Sequence, residues 1–91
     1  MDAFQEDVLT AIANDYEEIE QILVDLRGWH PRANIEEQEV VAALKLLVEA
    51  GLASAFKLST TQPAEMVEFQ AARARGLYFY ITPKGKLALA N

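Results

Sequence analysis

A chain of 91 residues, 52% hydrophobic and 24% charged, holds enough apolar material for one modest core, and a single domain over residues 1–91 is expected. The lack of cysteine excludes disulfides, thiolate zinc sites and cysteine nucleophiles together, and suits a reducing compartment. A net charge of −6 argues against general nucleic-acid affinity, most of which comes from neutralising phosphates.

The distribution of charge says more than its sum. Residues 1–50 carry twelve Asp and Glu against Arg27, Arg32 and Lys45, a net of −9, whereas residues 51–91 carry Glu65 and Glu68 against five basic residues, a net of +3. The start, Met1-Asp2, turns acidic at once and lacks the basic-then-apolar pattern of an export signal. The longest apolar run, "VVAALKLLV", is interrupted by Lys45 and is too short to span a bilayer. A cytoplasmic location with no membrane contact is expected.

Asp2 and Gln5 have the spacing of a capping box, and Phe4, Val8, Leu9 and Ile12 follow at helical intervals, predicting a first helix over residues 2–13. Asp15 and Glu18 repeat the box ahead of Tyr16, Ile19, Ile22, Leu23 and Leu26, predicting a second helix to Arg27 with Gly28 as its left-handed cap. One unbroken helix across Asn14 is the alternative. "GWHPRAN" reads as a loop, because Pro31 biases His30 away from the helical region. Asn34 with Glu37 gives a third box. Val40, Val41, Leu44, Leu47 and Val48 then share one helical face up to Gly51.

From Leu52 the period becomes two. "LASAFKL" alternates Leu52, Ser54, Phe56 and Leu58 against Ala53, Ala55 and Lys57. In "LYFYIT", Leu77, Phe79 and Ile81 face the core while Tyr78, Tyr80 and Thr82 face out. These are expected to be the two strands of one hairpin, with Lys57 on the side of Tyr78 and Tyr80. The segment between them is expected to be a long, partly ordered loop with a helical tendency starting at Pro63. Thr82 caps and Pro83 opens a last short helix.

Two stretches, in this order, carry a resemblance. "LLVEAGLASAF", with Leu44, Leu47, Val48, Gly51 and Leu52, resembles the end of a recognition helix leading into a strand. "YFYITPKGKLAL", with Thr82, Lys84 and Gly85, resembles the strand-to-helix corner of the winged-helix family, particularly MarR-type and PadR-type bacterial regulators. The resemblance covers most of the chain. It implies an α+β winged helix-turn-helix: three helices, a two-stranded β-hairpin wing and a short C-terminal helix. It also implies a third helix docked in the major groove beside the wing. The seven-residue "GWHPRAN" departs from the usual three- or four-residue turn.

On that basis the first expectation is a DNA-binding transcriptional regulator. Lys57, Arg73 and Arg75 of the wing would touch phosphate, Gln38 and Lys45 would reach the groove, and a homodimer is expected. The alternative is a protein-interaction module without DNA binding. The outer face of the third helix is mostly acidic, with Glu39 and Glu49 beside Leu46, and Trp29 offers a second anchor. For Trp29 the plainer reading is a plug at the edge of the core, with His30 exposed. The single histidine cannot build a usual zinc site, and no cofactor or metal is implied. No nucleophile-elbow serine is present. Gly76 and Gly85-Lys86 are wrongly spaced for a phosphate loop, with Leu87 where Ser or Thr is required, so no enzyme is expected.

Overall fold

The computed structural model describes residues 1–30 and 34–90. The first capping box forms as expected. Asp2 Oδ1 accepts from the Gln5 N–H at 2.7 Å and Gln5 Oε1 accepts from the Asp2 N–H at 3.2 Å, opening α1 (Ala3–Ala11). Val8, Leu9, Ala11 and Ile12 are buried.

The second box does not form. Asp15 Oδ1 accepts instead from the Tyr16 N–H at 2.7 Å, and the chain stays extended through Glu18. Backbone pairing overrides the local signal: Glu17 N–H donates to Phe79 O at 3.0 Å and Phe79 N–H to Glu17 O at 2.8 Å. Two satisfied backbone groups outweigh one side-chain cap. The chain therefore breaks between helices, and α2 spans Ile19–Trp29. Gly28 lies inside α2 and has no positive φ, so it is not the cap; His30 is, with its N–H donating to Leu26 O at 2.8 Å. Of the "GWHPRAN" loop, residues 31–33 lie outside the described residues.

Asn34 does not cap the third helix. Ile35 is buried, and its carbonyl accepts from Arg27 Nε and Nη2 at 3.2 and 2.8 Å, which holds the chain extended for two more residues. α3 (Glu37–Glu49) begins after Glu36, whose N–H donates to Glu39 Oε2 at 2.9 Å. It buries Val40, Ala43, Leu44 and Leu47 against the other helices and the sheet. At its end Gly51, at φ +76°, permits the paired bonds Gly51 N–H to Val48 O and Leu52 N–H to Leu47 O, a Schellman stop.

Three strands follow: β1 (Ala53–Lys57), β2 (Glu65–Val67) and β3 (Tyr78–Ile81), antiparallel in the order β2-β1-β3. β1 and β3 pair antiparallel as expected, but the sheet is not the expected two-stranded hairpin, because a third strand lies between them in sequence. The segment from Pro63 is not helical: Glu65–Val67 pairs with the free edge of β1, and Ala71–Arg73 makes a single 3-10 turn. An open edge of unpaired N–H and C=O groups is a stronger attractor than a weak helical tendency. α4 (Pro83–Ala90) closes the fold.

Ala53 and Ala55 turn inward beside Phe79 and Ile81, and their small side chains let the sheet approach the helices closely. Phe79, fully buried, contributes about 2–3 kcal/mol through its burial alone. The register Phe56↔Tyr78 and Ser54↔Tyr80 puts both tyrosines on the face opposite Ala53, Ala55 and Lys57. Lys57 therefore does not share a side with Tyr78 and Tyr80, because a one-residue offset in a strand reverses the face. No helix among the described residues is long and apolar enough to cross a membrane.

Candidate interaction sites

Lys57, Arg73 and Arg75, separated by up to eighteen positions in sequence, line one cleft of about 370 Å³ between the β1–β2 pair and the segment returning to β3. The extra strand β2 and the turn after it fold this segment back over the sheet. Lys57 and Arg73 have no hydrogen-bond or ion-pair partner among the described residues. Arg75 is committed: Nη1 lies 2.9 Å from Glu20 Oε1 of α2, and Nη2 contacts Glu37 Oε1 of α3. The Glu20 hydrogen bond first, then the charge of Glu37, hold this guanidinium even more firmly protonated than usual.

The outer face of α3 is arranged as the helical wheel suggests. Gln38, Lys45, Leu46 and Glu49 are exposed and Glu39 is half-buried. Gln38 Nε2 donates to Glu36 Oε2 at 2.8 Å, and Glu39 reaches back to the helix start, so both are engaged within the N-terminal turn. Lys45 extends into solvent with no partner among the described residues. Leu46 is 53% exposed and stands in line with Ala42 and Glu49 at spacings of four and three.

Trp29 is 52% exposed at the end of α2, so it is not a core plug. Ile35, beyond the end of α2, is fully buried. His30, expected in solvent, is turned inward: its Nε2 lies 2.6 Å from Asp7 Oδ2, and its ring meets Phe4 edge-on with centroids 5.7 Å apart.

Sequence reasoning did not find the aromatic group on the outer sheet face. Tyr16 lies 5.0 Å from both Phe56 and Tyr80, and Lys86 Nζ sits 5.7 Å from the Tyr80 ring centroid. The alternation in "YFYIT" gives the direction of Tyr80, but the helical spacing of Tyr16 with Ile19 and Leu23 points to a helix stripe rather than to this face. These contacts join the α1–α2 connection, β1, β3 and α4 into one side of the molecule, with pair energies of about 0.5–1.5 kcal/mol each.

No group of three or more metal-ligating side chains occurs among the described residues. A scan against models of known protein families matches none, and a search of curated proteins finds no significant relative.

Proposed function

We propose that this chain is a non-enzymatic binding module of winged-helix type that docks a basic segment of a protein partner on the outward face of α3. The order of three helices, an antiparallel sheet and a short last helix supports the winged-helix reading. The observation that carries the docking surface is Leu46, an exposed apolar side chain one turn from the exposed carboxylate of Glu49. Ala42, one turn before it, lets a partner backbone approach. Glu49 supplies charge for a Lys or Arg beside it. A basic amphipathic helix, one apolar residue over Leu46 and a cation by Glu49, has the complementary chemistry. Trp29 stands apart at the end of α2 as a second exposed anchor.

The same face is poorly made for duplex DNA. Its carboxylates repel phosphate, and Gln38, which would read a base edge, is bonded to Glu36. Of the wing cations, Arg75 is held by two carboxylates.

Backbone amide titration by NMR separates the two readings. A cationic Leu/Lys helical peptide should shift the amides of Ala42, Leu46 and Glu49, and L46A should weaken that binding about tenfold. Mixed-sequence duplex at low salt should leave α3 unmoved. Salt-dependent duplex binding that disappears in a K57A/R73A/R75A variant, with no response to the peptide, would replace this proposal with the regulator reading.

A further inference from the structure

The geometry points to a second, separate site: the cleft at the root of the wing binds a small organic dianion, a phosphate monoester in chemical class. Its walls carry Lys57, Arg73 and Arg75 beside one carboxylate, Glu68; Arg75 is already balanced by Glu20 and Glu37, so Lys57 and Arg73 are the cations open to a ligand. These two are unanswered, since neither Lys57 nor Arg73 is paired among the described residues. Cations gathered in a concave surface focus potential more than the same charges scattered over a convex one.

Arg75 is balanced in charge but not exhausted in donors. A guanidinium carries five N–H donors. Glu20 and Glu37 draw on Nη1 and Nη2 and fix the group at the wall between this cleft and a smaller notch of about 120 Å³ lined by Glu18, Ile19 and Glu20. Gly76, at φ +87°, makes the turn that brings Arg75 to that wall before β3 begins. The cleft also has an apolar side. Val67 is half-buried and Leu77 is buried, so a compact hydrocarbon portion has somewhere to rest while the charged end meets the cations. At about 370 Å³ the cleft falls within the usual size of small-ligand sites, about 300–1,000 Å³. A dianion matches the two unpaired cations, and the planar fork of Arg73 matches phosphate oxygens two at a time.

The test is amide and arginine Nε–H NMR titration of the whole chain at constant ionic strength and about pH 8, where phosphate monoesters are dianions. The probes are inorganic phosphate and phenyl phosphate, with chloride as the control. Saturable shifts at Lys57, Arg73 and Gly76 are expected at low-millimolar concentration, with phenyl phosphate binding the tighter of the two. K57A and R73A, both exposed changes, should each weaken binding about tenfold. E68Q, which removes the one lining carboxylate, should tighten it several-fold. Shifts that stay linear, that chloride reproduces, or that persist unchanged in K57A and R73A would overturn the assignment. Duplex DNA that moves the same signals when phenyl phosphate does not would assign the cations to a nucleic-acid backbone and equally overturn it. The duplex outcome would count against both proposals; the phosphate, chloride and variant outcomes do not involve Leu46, so they test this site separately from the peptide-docking face.

Discussion

Thr82 Oγ1 donates to the carbonyl oxygen of Gly51 at 2.6 Å, so the residue that starts the last helix also ties down the end of the third. The same hydroxyl accepts from the Gly85 N–H at 3.0 Å, the Thr82 N–H donates to Leu52 O at 3.0 Å, and Lys84 Nζ donates to Ala50 O at 2.9 Å. Each of the otherwise unpaired carbonyls Ala50, Gly51 and Leu52 thereby receives a donor from Thr82 or Lys84. The run Thr-Pro-Lys-Gly is a clamp, with Pro83 at the helix position where its missing N–H costs nothing.

Gly85 is the tightest point of that clamp. A Cβ there would stand 2.2 Å from Leu52 O and 2.7 Å from Ile81 Cγ1. In an open helix, replacing glycine by alanine gains about 0.5–1 kcal/mol. Here the clash is with backbone that cannot yield without breaking the Thr82–Leu52 bond, so G85A should lose about 3 kcal/mol. T82V, which removes both hydroxyl bonds, should cost about 1–3 kcal/mol. Urea unfolding measures both, and a G85A midpoint at or above that of the unchanged protein would refute the close approach.

Trp29 supplies a second expectation from its own fluorescence. As the single tryptophan, half in water, it should emit at the long wavelength of a solvated indole and be quenched readily by acrylamide. W29A should cost less than about 1 kcal/mol, against about 3–5 for a tryptophan filling a core. A blue-shifted, protected emission from the isolated chain would place the ring inside instead.

Where the chain answers only to its neighbours, its sequence was legible. The Asp2–Gln5 box, the Gly51 stop, the inward turn of Phe79 and Ile81 and the Thr82–Pro83 helix start all follow from local spacing. Where distant backbone competes, the local signal lost. Asp15–Glu18 has the letters of a cap, but Phe79 takes Glu17 into a bridge. Asn34–Glu37 has them too, but Ile35 must be buried before the helix begins. Pro63 suggested a helix, and the bare edge of β1 made a strand. The convergence of Lys57, Arg73 and Arg75 on one cleft depends on that unforeseen strand, and no spacing rule contains it.

Arg75 makes the loop before β3 dependent on helices α2 and α3. Removing the guanidinium should free residues 71–77 to exchange amide hydrogen faster while the hydrogen-bonded core of β3 keeps its protection. E20Q and E37Q should each give part of that acceleration. Because the pairs are exposed, raising salt should narrow the difference between R75A and the unchanged chain. Exchange in the loop that is identical in all four proteins at low salt would show that these carboxylates do not hold it.

Glu17 gives a pH dependence with a definite sign. Burial chiefly, then the charges of Asp25, Asp15 and Glu18, push its carboxyl above the ordinary range. The folded chain then binds this proton more tightly than the unfolded chain does. Between the unfolded and the raised folded pKa, stability falls as pH rises, and above the folded value the full penalty of an ionised Glu17 is present. At neutral pH, E17Q should therefore be the more stable protein, by less than about 1 kcal/mol given the partial exposure of the site. The advantage should shrink as pH falls through the folded pKa and vanish below the unfolded one, where the native carboxyl is protonated in both states. The bridge to Phe79 uses only backbone atoms, so the substitution leaves it intact. Urea midpoints of the two proteins at neutral and at acid pH decide the matter. An E17Q protein less stable at neutral pH would mean that the carboxylate is held by an attraction strong enough to reverse the effect of its burial and of its three acidic neighbours.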